Sequence, residues 1–292
     1  MMLTHIAGRS GRLSSFLKEE MAMSTGLMNR LKWKDLLFVN GVAVHTDHPV
    51  QPGDVITVKL EEPQPNYPGQ EGPLSVLYED EHLLAVDKPA GLLVHPSRAQ
   101  LEGTLSNYIL GYYQRTGQHS ACHPITRLDR DTFGVVLLAK NSHIHALMND
   151  LHSRGAIEKT YHALVFGGPP ENEGTIDAPI ERRPLPSLLR YVAPEGKPSL
   201  TQFQVLERRE DLCKLSLRPI TGRTHQLRVH CAHMGYPILG DPQYGSEASL
   251  ARSRALGLYS QLLCAKTLRF PHPILGEAIE IKSSMDVSLS IY

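Results

Sequence analysis

The sequence predicts an α+β protein in two parts, and three features predict it. Apolar runs of strand length outnumber stretches of helical periodicity over most of the chain. Two helix signatures and a hairpin signature crowd into the first 60 residues, and a Pro/Gly-rich stretch then separates that portion from the rest. A length of 292 residues fits about two domains at roughly 150 residues each, or one large domain with a small one.

Taken in order, Leu13, Phe16 and Leu17 fall on one helical face, and Ser24 offers a second helix start. Asn40-Gly41 between apolar neighbours predicts a hairpin turn, and Pro52-Gly53-Asp54 predicts a turn into the strand Val55 to Val58. These elements outline a module over residues 1–60. Residues 61–73, rich in Pro and Gly and without Lys or Arg, are expected to be a linker. Residues 74–292 form the larger part. There, Gly134 to Ala139 is an apolar strand, and Ile144, Leu147 and Leu151 recur at helical spacing with Gly155 as the stop. Tyr161 to Phe166 and Cys213 to Leu217 are further strands. Thr224 is expected to cap a helix starting near His225, with Leu227, Cys231 and Met234 as its apolar stripe and Gly235 as its end.

Composition excludes some classes. Lys plus Arg equal Asp plus Glu at 30 each, so a nucleic-acid partner would need locally concentrated basic residues. Cys122, Cys213, Cys231 and Cys264 are scattered without zinc or redox spacing, which points to reduced thiols and a cytoplasmic protein. Neither a signal-type apolar segment in the first 20 residues nor a membrane-length run is visible. His225 and His230 stand five residues apart, off one helical face, which argues against a metal site.

The chemistry concentrates in Arg127-Leu128-Asp129-Arg130-Asp131-Thr132, just ahead of the Gly134 strand. Flanking arginines favour an ionised Asp129, and an ionised carboxylate can act as nucleophile or base. Asp131 reads as a loop-ordering acid. A second segment, Arg218 to His230, sets arginines around the turn Thr221-Gly222-Arg223 and places Arg228 on the helix that follows.

These segments, with Val86-Asp87-Lys88-Pro89, Lys159-Thr160-Tyr161 and Gly240-Asp241-Pro242-Gln243-Tyr244-Gly245, resemble in order and spacing the RluA-type RNA pseudouridine synthases. The resemblance implies a mixed, mainly antiparallel sheet with a central RNA-binding cleft, and isomerisation of uridine to pseudouridine in ribosomal or transfer RNA. It also implies a monomer that needs no metal or other cofactor. Asp129 takes the position of the family's catalytic carboxylate, Arg228 that of its partner, and Tyr161 that of a tyrosine stacking on the target uracil. Arg127, beside the nucleophile, suits phosphate contact or filling the gap left by an extruded nucleotide, with Arg130 and Arg223 also on the RNA side. Arg182, Arg183, Arg190 and Lys197 are either a phosphate clamp or plain surface charge.

Residues 1–60 resemble the small S-four-like RNA-binding module, with Arg30, Lys32 and Lys34 as its contacts; the alternative is a packing domain with solvated lysines. The chain departs from the family pattern at Thr126, Phe133 and Cys264, where His, Ser and His are usual. A non-catalytic RNA-binding protein on the same fold is the main rival. A glycoside hydrolase is less suited, since that chemistry usually pairs two carboxylates, whereas Asp129 is flanked by arginines.

Overall fold

The computed structural model describes residues 2–62, 65–97 and 100–289. The amino-terminal portion has a core of its own, drawn from residues between Leu3 and Leu60. Helix Leu13–Glu19 buries Leu13, Phe16 and Leu17. Helix Thr25–Lys32 starts at Ser24, whose hydroxyl accepts the Leu27 N–H, and it buries Leu27, Met28 and Leu31. Both pack with a four-stranded antiparallel sheet ordered Met2–Ile6, Val55–Lys59, Leu37–Val39, Val42–Ala43. The hairpin closes at Asn40 and Gly41, with φ of 51° and 81°, the left-handed pair that a two-residue turn demands.

Pro63 and Gln64, within the expected linker, lie outside the described residues. The remainder of that segment is bound down. Glu62 accepts the N–H and hydroxyl of Ser142 at 2.8 Å each and meets His123 Nε2 at 3.1 Å. Burial opposes its charge, but the His123 and Ser142 hydrogen bonds prevail and hold the carboxyl below its usual range. Further on, the Gln70 N–H donates to the Asn107 carbonyl at 2.9 Å, and the Asn107 amide donates to the Pro68 carbonyl at 2.8 Å. Pro and Gly make this segment irregular, and helix Leu105–Arg115 gives it a surface to lie on.

The larger part is a sheet of ten strands among the described residues, with the order Glu173–Asp177, Leu200–Arg209, Leu212–Pro219, Glu158–Phe166, Leu263–Pro271, Phe133–Ala139, Leu83–Lys88, Ser75–Glu79. Ala278–Lys282 and His123–Pro124 pair off this path. Every pairing is antiparallel except Phe133–Ala139 with Leu263–Pro271, so the sheet is mixed and mainly antiparallel. Residues 83–86 of the strand Leu83–Lys88, and the strand Phe133–Ala139, read as continuous apolar runs because both of their faces are covered. Leu83, Ala85, Val135 and Leu137 pack in one core with Ile144 and Met148 of helix Ser142–Ser153. Leu84, Val86, Val136 and Leu138 pack in another with Leu105, Ile109 and Tyr113. Elsewhere, Ala163, Val165, Leu215 and Leu217 meet Leu227 and Cys231 of helix Gln226–His233.

One expectation needs correction. Thr224 does not cap that helix: the N-cap position is His225, held in the left-handed region at φ 58° with no side-chain cap. The side chain that closes the turn is Gln226, whose Oε1 accepts the Thr221 hydroxyl and the Arg223 N–H. A polar amide one turn back onto its own loop is invisible to a capping rule that inspects only the preceding residue.

The docked segment leaves no room at Gly111, where a Cβ would come within 2.1 Å of the Gln70 carbonyl oxygen. Gly111→Ala is therefore expected to lower stability by about 1–3 kcal/mol through overpacking. Gly26→Ala, in a helix with nothing within 4 Å, should instead stabilise by roughly 0.5–1 kcal/mol. Urea midpoints of the two variants check the contrast.

Candidate active site

Asp129 stands in a loop whose ends are pinned to the sheet. The N–H groups of Ile125 and Thr126 donate to the Leu137 carbonyl, and the Thr126 hydroxyl accepts the Leu137 N–H at 2.9 Å. At the far end, Gly134 adopts φ +108° and a Cβ there would lie 2.3 Å from the Ala265 oxygen. Only glycine allows the parallel pairing of Gly134 with Ala265. Between these anchors the Thr132 N–H donates to the Asp129 carbonyl at 3.2 Å.

Lys88 braces the same loop from beneath. It is fully buried, and its Nζ donates to the carbonyls of Pro89, Leu92 and Arg130 at 2.8–2.9 Å. Burial pushes its ammonium down to about 8, against the pull of Asp131 and Asp129.

The central feature is an ionic chain of three members. Arg228 is buried, 5 % exposed, and its Nη1 donates to Asp129 Oδ2 at 3.1 Å. Its other nitrogens are taken by Asp241: Nε to Oδ2 at 2.7 Å and Nη2 to Oδ1 at 2.8 Å. Nη2 also reaches Gln243 Oε1 at 2.7 Å. Asp241 is wholly buried and further accepts the N–H groups of Gln243 and Tyr244. Burial works against the guanidinium charge, yet the hydrogen bonds and charge of Asp241, followed by Asp129, raise Arg228 above its ordinary value. A bidentate pair leaves a guanidinium little freedom, so Arg228 presents Nη1 to Asp129 as a fixed donor. Asp129 itself is 29 % exposed and so remains reachable.

A second donor group stands beside it. His225 Nε2 lies 3.8 Å from Asp129 Oδ2, and its Nδ1 lies 2.7 Å from the Tyr244 hydroxyl. That hydroxyl accepts the Arg190 N–H at 2.9 Å, and the Tyr244 ring lies under the Arg228 guanidinium at 4.9 Å. Tyr161 sits at a β-bulge, where the register against Leu263–Pro271 shifts between Thr160 and Tyr161. Bulges re-aim side chains. Burial, and then the charge of Asp129, pushes the Tyr161 phenol well above its usual value, so it stays protonated at neutral pH.

The expected RNA-contacting residues fall into three regions. Arg127 and Arg130 are exposed on the Asp129 loop, and Arg223 is exposed just ahead of helix Gln226–His233, donating to the Pro198 carbonyl at 3.3 Å. Arg182 and Arg190 face each other across the hairpin Ile180–Arg182/Arg190–Val192, with Arg183 in its loop, and Lys197 is exposed nearby. Arg190 is hydrogen-bonded to the centre by its backbone N–H, while its guanidinium turns to the Leu188 and Leu189 carbonyls and acts on His225 through its charge. Arg30, Lys32 and Lys34 lie in the separate amino-terminal portion, where Lys34 pairs with Glu61 at 3.1 Å. Of the three departures, Thr126 ties the loop to its strand, while Phe133 and Cys264 pair in register and pack in one core.

Asp241, Gln243, Tyr244, His225 and Lys88 were not singled out by sequence reasoning. The Gly-Asp-Pro-Gln-Tyr-Gly turn and the lysine ending an apolar strand were visible as motifs, but their partners were not. Among the described residues no group of three or more His, Cys, Asp or Glu is placed to hold a metal ion, and no helix is long and apolar enough to cross a membrane.

Comparison with known proteins finds relatives over most of the chain. A family model described as RNA pseudouridylate synthase matches residues 82–233. The chain is 34 % identical over 93 % of its length to an uncharacterized RNA pseudouridine synthase, YjbO, of Bacillus subtilis (strain 168), covering 94 % of that protein. It is 36 % identical over 84 % of its length to the ribosomal large subunit pseudouridine synthase D of Haemophilus ducreyi (strain 35000HP / ATCC 700724), covering 78 % of that protein. Among solved structures it is similar to human RNA pseudouridylate synthase domain containing 1, at TM-score 0.63 and 27 % identity, over 77 % of this chain and 89 % of the other.

The ionic chain makes unequal demands on stability. Asp241→Asn leaves a buried guanidinium without its main counter-charge and is expected to cost about 3–5 kcal/mol. Asp129→Asn removes a partly exposed charge from an arginine that keeps Asp241, and should shift stability by no more than about 1 kcal/mol. Chemical denaturation of both variants tests this, and equal losses would contradict the anchoring role of Asp241.

Proposed function

The chain belongs to the RNA pseudouridine synthase family, and from that membership we propose that Asp129 is its catalytic carboxylate and that its substrate is ribosomal RNA of the large subunit. The enzyme is an isomerase acting on RNA that converts uridine to pseudouridine. The reaction breaks the bond from ribose C1′ to uracil N1, turns the base, joins C1′ to C5, and moves the C5 proton off as N1 regains one. Nothing is oxidised or reduced. A carboxylate that bonds covalently to the substrate and is later displaced divides this exchange into two easier steps.

The observation that carries the reading is the aimed carboxylate: Asp129 is accessible, while the arginine holding it is buried and locked by a second acid. A free surface aspartate would be shared between water and mobile cations. Here a preorganised donor keeps the charge oriented at no cost during reaction. Tyr161, protonated beside it, offers the extruded uracil a ring to stack on and an O–H to bond.

Arg127, Arg130 and Arg223 supply positive charge around the loop, and the hairpin with Arg182, Arg183 and Arg190, with Lys197 beside it, supplies a second set of phosphate contacts. The amino-terminal portion is a second RNA-binding unit through Arg30, Lys32 and Lys34. Large-subunit RNA is the substrate named for several relatives, those called ribosomal large subunit pseudouridine synthase D. We propose that the enzyme works in the cytoplasm, which action on ribosomal RNA supports, and that it works as a monomer.

Asp129→Asn should abolish turnover while RNA affinity changes less than about twofold, because shape is kept and the reacting charge is lost. Pseudouridine maps of large-subunit RNA from cells with the wild type, the variant, or neither give the substrate and the residue together; persistent modification by the variant would refute the assignment. Arg182→Ala/Arg183→Ala should weaken RNA binding and lower the slope of log affinity against log salt by up to about 2, measured by filter binding across a salt series.

A further inference from the structure

We infer that Tyr244 and His225 form a positioning relay for the reacting carboxylate, which lets the backbone of the arginine-bearing hairpin set the hydrogen-bonding state of Asp129. The inference rests on the reading of Asp129 as the catalytic carboxylate and adds two residues to it.

Hydrogen-bond accounting leads there. The Arg190 N–H donates to the Tyr244 oxygen at 2.9 Å, so the phenol accepts on that side and its own proton is free for another partner. His225 Nδ1, at 2.7 Å, is that partner. An Nδ1 that accepts the phenol proton puts the imidazole hydrogen on Nε2, the nitrogen 3.8 Å from Asp129 Oδ2. The neutral ring then turns an N–H toward the carboxylate, 3.8 Å away, alongside Arg228 Nη1. His225 is held at φ 58°, a left-handed backbone that non-glycine residues rarely adopt. The Tyr244 ring is held by the Arg228 guanidinium stacked on it at 4.9 Å, and its backbone by the N–H that donates to Asp241.

The charges facing His225 are Asp129 and Asp241, which favour its protonation, and Arg228 and Arg190, which oppose it together with burial, the largest influence. The balance keeps the imidazole below its ordinary value and neutral at pH 7. Donation from Tyr244 favours the same neutral form. Without the phenol hydroxyl, Nδ1 is open to a proton, and an imidazolium beside Asp129 would neutralise the carboxylate that has to react.

The decisive measurement is the single-turnover rate from pH 5 to 8 with enzyme in excess over total RNA from cells lacking the protein, scored at the uridine that the wild type modifies. Tyr244→Phe keeps the ring under Arg228 and should slow the rate at pH 7 by roughly three- to tenfold, the worth of one hydrogen bond. RNA affinity should stay within about twofold. The variant should also gain an acid limb, at higher pH than any in the wild-type profile but below the ordinary histidine value of about 6.5, because burial, Arg228 and Arg190 still act on the ring. His225→Gln in the Tyr244→Phe background should remove that limb, because no titrating ring remains. A Tyr244→Phe profile that parallels the wild type, or a loss confined to RNA affinity, would overturn the relay. Should Tyr244→Phe fail to fold, His225→Gln alone decides: an unchanged rate across the range overturns it, and a slower rate at unchanged affinity supports it. Asp129→Asn run beside them separates the two readings, for an active Asp129→Asn would refute the carboxylate assignment itself.

Discussion

The bidentate pair between Arg228 and Asp241 is the constraint on which the rest of the site depends. Burying a guanidinium costs several kcal/mol that ordinary apolar packing would not incur, and pairs of this kind are often replaceable by hydrophobic residues without loss of stability. Its value here lies in direction. With Nε and Nη2 occupied by Asp241 and Gln243, Arg228 has Nη1 left for Asp129, and a fixed donor holds a carboxylate at a defined angle. The arginine is carried by a helix whose apolar side packs against the sheet, so the aim of the pair is as rigid as that core.

The sheet supplies the matching precision from the other direction. The Asp129 loop ends in a strand covered on both faces, and Gly134 lets that strand run beside Leu263–Pro271 at a distance no side chain would permit. The bulge at Tyr161 sits on the neighbouring strand of the same region. Parallel pairing, glycine contact and bulge are each local irregularities in a mainly antiparallel sheet. They fall together where the chemistry is, in keeping with the tendency of bulges and tight backbone approaches to gather beside active sites.

The amino-terminal portion shows how far composition alone can describe a connection. Pro and Gly density marks residues 61–73 as irregular, yet Glu62 ties helix Ser142–Ser153 and Gln70 lies against helix Leu105–Arg115. Both attachments use backbone groups of the larger part, which no pattern of side chains in the linker could reveal. The same limit applied to helix Gln226–His233, where a capping rule selected Thr224 and the turn is closed by Gln226.

Much of the architecture was legible in order along the chain, because periodicity, turn residues and motif spacing are properties of neighbours. The helix at Leu13, the Asn40-Gly41 hairpin, the apolar strand after Asp129, and the helix carrying Arg228 all follow from residues within a few positions of one another. Asp129 and Arg228 were legible as candidates through motifs that stand 99 residues apart in the chain. What the tertiary structure decided is which groups share charge. Asp241 as the chief partner of Arg228, Lys88 beneath the loop, and Tyr244 between His225 and the hairpin arise only when sheet pairing brings distant segments within 3 Å or so of one another. A sequence specifies the chemistry a residue can offer; the partner that saturates or leaves free each donor and acceptor is set by the fold, since hydrogen bonds and ion pairs lose their strength within a few ångströms.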